Sequence, residues 1–158
     1  MTELVLMRHA KAGPADDDLH RSLTAEGHRQ ADRAAEALVQ AGFHVGRVLC
    51  SPALRTRETL APIRSALHVP EADIVLDQAI YNASAGRLRD LIGEHLPASP
   101  LLLVGHNPGL EQLAAWLTGD IVPLGTGDWV LLDVGGKLAN NGARLVESYI
   151  HEQSGPNG

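Results

Sequence analysis

The sequence predicts a single α/β domain, a three-layer sandwich whose mainly parallel central sheet is flanked by helices. Three observations predict it. Apolar runs of strand length alternate with segments whose apolar residues recur at helical spacing. Two of the runs, Leu4 to Met7 and Leu101 to Val104, are continuous, as strands covered on both faces are. No Pro-, Gly- or Ser-rich linker and no internal repeat divides the 158 residues, a length at which one domain buries roughly two thirds of its unfolded surface. The domain is expected to span residues 1–153, with 154–158 as a flexible tail.

The elements follow in order. Glu3 to His9 reads as the first strand, emerging from the sheet in two polar residues, Arg8 and His9. After a loop with Gly13, Pro14 and the run Asp16-Asp17-Asp18, Thr24 is an N-cap. Ala31, Ala34, Ala35 and Leu38 then form one helical face, and Gly42 stops the helix. Arg47 to Cys50 is a short strand. Ser51-Pro52 predicts a helix start, Ser51 as cap and Pro52 as first residue, and Pro62 is expected to kink or divide that helix. Ile74 to Leu76 is a further strand, and Leu88, Leu91, Ile92 and His95 share a face of a helix from about Ser84 to Leu96. Leu101 to His106 is the clearest strand, and Asn107-Pro108 repeats the cap-then-proline start before a helix with the stripe Leu110, Leu113, Ala114 and Leu117. Trp129 to Val134 and Ala143 to Ile150 complete the sheet.

Composition narrows the function. The 13 Lys+Arg against 19 Asp+Glu give a net charge of −6, and two Trp, two Tyr and one Phe are too few rings on too acidic a chain for a nucleic-acid binder. The longest apolar run, Leu113 to Leu117, is far short of the roughly 20 residues of a membrane span, and the N-terminus lacks a secretory signal pattern. Cys50 is the one cysteine, in keeping with a reducing compartment, so a cytoplasmic location is expected, and the chain is taken as a monomer.

In open α/β sheets ligands bind beyond the carboxyl ends of the strands. Three strands here end in Arg8-His9, in Cys50-Ser51 just ahead of Arg55, and in His106, so their polar residues converge on one edge. Two arginines and two histidines there suit phosphoryl transfer. Arginine forks match phosphate oxygens and stay charged, and a neutral imidazole can attack phosphorus. Arg8, Arg55 and a protonated His106 would hold the phosphoryl oxygens while His9 attacks in line. The other six histidines, His20, His28, His44, His68, His95 and His151, have no metal-ligand spacing and read as surface or satisfied core groups. Cys50 is out of frame for a cysteine phosphatase, which needs five residues between cysteine and arginine; position 56 is Thr56.

Leu6-Met7-Arg8-His9-Ala10 resembles the Arg-His-Gly signature of the histidine phosphatase, or phosphoglycerate mutase-like, superfamily, with Ala10 in the glycine position. Leu23-Thr24-Ala25-Glu26-Gly27 with Gln30-Ala31, Ser51 to Thr59 with Arg55, and Val104-Gly105-His106-Asn107-Pro108 resemble its further elements, in the family's order. The short length and these variants are most similar to small phosphohistidine phosphatases of the SixA type. The resemblance implies a phosphoglycerate mutase-like fold and a phosphohistidine intermediate on His9. It implies phosphoryl binding by Arg8, Arg55 and His106, no cofactor and no metal. The substrate it implies is a phosphorylated protein of the histidine-phosphotransfer type, or a small phosphorylated molecule.

Longer relatives place a glutamate general acid where this chain has Ile80-Tyr81-Asn82-Ala83-Ser84, which holds no carboxylate. An alkoxide leaves poorly without a proton, whereas a nitrogen leaving group departs more easily, so the absence suits a phosphoramidate. Two alternatives stay open: a phosphomonoesterase with Asp77 or one of Asp16 to Asp18 as acid, the competing reading of these being loop capping or solvated surface, and a phosphate-binding module without turnover.

Overall fold

The computed structural model describes residues 1–151. The anticipated tail at 154–158 lies outside them. Six strands form one sheet in the order β3-β2-β4-β1-β5-β6: β1 Glu3–Arg8, β2 Arg47–Cys50, β3 Ile74–Leu76, β4 Leu101–Gly105, β5 Trp129–Asp133 and β6 Arg144–Tyr149. The strands β3, β2, β4 and β1 run parallel, and β5 and β6 extend the sheet antiparallel beyond β1. The α/β sandwich with a mainly parallel sheet is therefore the observed architecture.

The pleat of β1 shows why its apolar run is continuous. Leu4 and Leu6 face one core with Leu101, Leu103, Leu88, Ile92 and Leu113, under α3 (Ala85–His95) and α4 (Gly109–Thr118). Val5 and Met7 face the other core with Leu102, Val104, Ala34, Leu38 and Ile63, under α1 (Ala25–Gln40) and α2 (Leu54–Leu67). Alternate side chains point to opposite faces, so a strand buried on both sides needs apolar residues at every position.

Two helix starts differ from the sequence reading. Helix α2 begins at Leu54, with Ala53 at the cap position and no side-chain cap bond. Ser51 is drawn elsewhere, its hydroxyl lying 2.8 Å from Nε2 of His106. Helix α4 begins at Gly109, and Asn107 still serves as a cap by accepting from the Glu111 amide at 3.2 Å. Pro62 does not divide α2, which runs unbroken across it with Leu60 and Ile63 buried on either side of it; tertiary packing outweighs the one hydrogen bond that proline removes. Thr24 caps α1 as expected, accepting from the Gly27 amide at 3.0 Å.

Gly27 shows what the Leu-Thr-x-x-Gly stretch requires. A Cβ there would lie 2.0 Å from the Lys11 carbonyl oxygen, so only glycine lets α1 pack this closely on the segment that follows β1 and His9. Gly27→Ala is expected to lower the thermal midpoint by roughly 5 °C or more. An unchanged midpoint in a melting experiment would contradict this close approach.

Candidate functional site

Register brings the two histidines together. Arg8 pairs with Gly105, so His9 and His106 each sit one residue past the ends of adjacent parallel strands, with the His9 amide bonded to the Gly105 carbonyl at 3.1 Å. Their ring centroids are 5.4 Å apart. On the far side of β4, Ser51 follows β2, its amide on the Val104 carbonyl, and Arg55 projects from the first turn of α2. The structure thus gathers Arg8, His9, Arg55 and His106 at the carboxyl edge of the sheet, between strands whose chain order reverses there.

Hydrogen bonding assigns the tautomers. Nδ1 of His9 lies 2.7 Å from the Ala10 carbonyl oxygen. A carbonyl only accepts, so Nδ1 carries the proton and Nε2 keeps its lone pair. His106 is the reverse. Its Nδ1 faces Nη2 of Arg55 at 3.4 Å and can only accept, which leaves the proton on Nε2 to be donated to Ser51 Oγ.

Burial and neighbouring cations hold both rings neutral. His9 is 8% exposed; burial, then Arg55 and Arg8, lower its pKa to about 4 against the partial opposition of the Ala10 bond. His106, 7% exposed, is lowered to about 3 by burial, Arg55 and His9. The free protein therefore holds His106 neutral at neutral pH, burial being the largest cause and Arg55 the next; the protonated ring expected from sequence concerns the phosphoryl-bound state, in which an anion faces it. Titrating the rings by NMR is expected to show a His9 midpoint near pH 4 with the Nδ1–H tautomer; a midpoint near the ordinary value of about 6.5 would contradict it. Between about 6.5 and 4 the unfolded chain binds protons that the folded chain refuses, so stability is fully present above that window and falls with pH across it.

The arginines are held by different devices. Arg8 donates through Nη1 to the Leu124 carbonyl at 3.2 Å, which also accepts from Asn107 Nδ2 at 2.8 Å, and Glu111 fixes the Leu124 amide at 2.7 Å. Arg55 donates to the Asp18 carbonyl from Nη1 at 2.7 Å and to the Asp18 carboxylate from Nη2 at 3.1 Å. Nε of Arg8 and Nε of Arg55 are buried without a hydrogen-bond partner among the described residues. Nε of Arg47, at the opposite end of β2, is in the same state, so what marks this edge for an anion is the meeting of two guanidinium charges, Arg8 and Arg55, beside two neutral rings.

Tyr81 is the site residue that sequence reasoning missed, and Asp18, named there only among the candidate acids Asp16 to Asp18, is the partner of Arg55. The Tyr81 hydroxyl donates to Asp18 Oδ2, and its ring stands edge-on to His106 at 5.5 Å. The Tyr81 bond, followed by Arg55, holds the Asp18 carboxyl down to about 2. The only signal for Tyr81 was its place in the stretch where longer relatives carry an acid. Asp77 instead caps a turn by accepting from the Ala79 amide, and Lys11 pairs with Glu26 at 3.1 Å on the surface. Cys50 is fully buried, with its thiol pushed up to about 12 by desolvation, so it is no nucleophile. His151 is a satisfied core group bonded to Asp128 and to the Gln30 carbonyl. Among the described residues no group of three His, Cys, Asp or Glu side chains gathers as a metal centre would, and no helix is long and apolar enough to cross a membrane.

Comparison with known proteins matches residues 4–119 to the model of the histidine phosphatase superfamily, branch 1. An uncharacterized chloroplastic protein of Arabidopsis thaliana is 30% identical over 145 residues, covering 84% of this chain and 66% of its own length. The crystal structure of a protein assigned as phosphohistidine phosphatase SixA from Agrobacterium tumefaciens superposes with a TM-score of 0.84 at 26% identity, covering 95% of this chain and 98% of that one. A second so assigned, from Nakamurella multipartitia, gives 0.80 at 28% identity, covering 94% and 95%.

Proposed function

Since the chain belongs to the histidine phosphatase superfamily, we propose that it hydrolyses phosphoryl groups through a covalent intermediate on His9, and that its substrate is phosphohistidine in a protein. The observation that carries this reading is the free Nε2 lone pair of a neutral, buried His9 beside the Arg8 and Arg55 guanidinium groups. Arg8 and Arg55 bind the phosphoryl oxygens, with His106 donating once an anion draws a proton onto its ring. His9 Nε2 forms the new N–P bond as the bond to the leaving group breaks and takes its electron pair away. Water then attacks the phosphorylated His9, releasing inorganic phosphate and restoring the lone pair.

The leaving group is inferred from the carboxylates. Asp77 is engaged in a turn, and Asp18 stays ionised through its bonds to Tyr81 and Arg55, so neither delivers the proton that an alkoxide needs. An imidazole needs none. The SixA assignments of the similar structures support the same reading. Hydrolysis of a phosphohistidine peptide is expected to exceed that of an alkyl phosphate in kcat/KM by at least tenfold, and a preference for the alkyl ester would overturn it. The charge for the transition state comes from Arg8 and Arg55, so full activity is expected in excess chelator; its loss would show that a metal takes part.

A further inference from the structure

We propose that Asp18 is a specificity-determining residue that accepts the ring N–H of a phosphohistidine protonated on its second ring nitrogen, with Tyr81 holding the carboxylate in place. The inference rests on the phosphohistidine reading above and names what in this chain recognises the ring.

Placement is the first argument. His9 lies at the floor, and in-line attack puts the leaving group across the phosphorus from it, toward solvent. Exposure along the Arg55 wall rises in that direction: the Arg55 side chain is 6% exposed and the Asp18 side chain it bonds is 47% exposed. Anything attached to a phosphoryl group on Arg55 therefore passes Asp18 and Tyr81 at the rim.

Capacity is the second. A carboxylate offers about four acceptor positions. Oδ2 of Asp18 accepts from Tyr81 and Arg55, whereas Oδ1 has only a long contact to Arg21 at 3.4 Å. Oδ1 thus keeps room for a donor from the substrate. The charged and titratable groups around it are Arg55 from α2, Tyr81 after β3, and Arg21 and Asp17 beside it in the same loop.

Chemistry is the third. In a phosphohistidine protonated on its second ring nitrogen, the N–P bond breaks, its electron pair returns to the ring, and neutral imidazole leaves with the remaining N–H. The step balances without a proton donor, and it is assisted by an anionic acceptor on that N–H. An ionised carboxylate at the rim suits this leaving group and opposes an anionic one.

The test compares kcat/KM for a phosphohistidine peptide with that for p-nitrophenyl phosphate, whose leaving group is an anion without an N–H. In Asp18→Asn the ratio is expected to fall at least tenfold, whatever change the two substrates share. In Tyr81→Phe, which keeps the carboxylate but releases its Oδ2 from the hydroxyl, the ratio is expected to fall in the same direction and by less than in Asp18→Asn, and an unmoved ratio would remove Tyr81 from the proposal. Asp18→Ser stands in if the asparagine variant fails to fold, because the Arg55 bond to the main-chain carbonyl survives any side chain. An equal fall for both substrates would reduce Asp18 to a support for Arg55 and overturn the proposal, as would an unmoved ratio. A wild-type protein that leaves the phosphohistidine peptide intact would refute the underlying substrate reading instead.

Discussion

His9→Ala is expected to abolish turnover, with kcat reduced by roughly four orders of magnitude or more, while inorganic phosphate still binds within a few-fold of wild type. The split follows from the geometry. The anion is held by Arg8 and Arg55, whose anchors at Leu124 and Asp18 do not involve the His9 ring. Only the nucleophile is lost. Single-turnover kinetics together with calorimetric phosphate binding separates the two effects, and residual activity near wild type would refute His9 as the attacking group.

Arg55→Ala is expected to damage both quantities, raising KM and lowering kcat so that kcat/KM falls by roughly 10²–10⁴. Arg55 touches two parts of the site at once: the Asp18 carbonyl and carboxylate, and Nδ1 of His106. Losing it also removes the cation that contributes to keeping both histidines neutral, so both ring pKa values are expected to rise in the variant. Folding is expected to survive, since the carboxylate left behind is half exposed. Arg55→Lys restores a charge but not the fork that spans Asp18 and the phosphoryl oxygens, so it recovers only part of the activity. Wild-type kcat/KM in Arg55→Ala would remove this residue from the phosphoryl site.

The parts legible in the sequence were those written in local pattern. Continuous apolar runs identified β1 and β4, and the polar residues at their ends were the ones that register brings together, since Arg8 and Gly105 are paired and His9 and His106 come next. Thr24 was readable as a cap because a cap bonds to an amide three residues away. Ser51 misled for a physical reason: its hydroxyl has a competing partner, His106, 55 positions along the chain. Asp18 and Tyr81 were hidden in the same way, meeting Arg55 and one another across separations of 37 and 63 residues from loops without periodicity. The neutral resting state of His106 was not legible, because burial and Arg55, both tertiary, decide it.

Acid charge and phosphate chemistry are compatible here. The chain carries −6 overall, yet the pocket concentrates Arg8 and Arg55 against two neutral rings, with one carboxylate at its rim. Local arrangement, and not net charge, sets the field that a phosphoryl group meets.

The central claim is a phosphoryl group carried on His9. Rapid quenching of the wild-type protein with a phosphohistidine peptide, followed by mapping of the phosphorylated residue under alkaline conditions, tests it most directly. The account predicts an acid-labile, alkali-stable phosphoenzyme on His9 that forms and decays at rates consistent with turnover. Turnover without such an intermediate, or with the phosphoryl group on another residue, would contradict it.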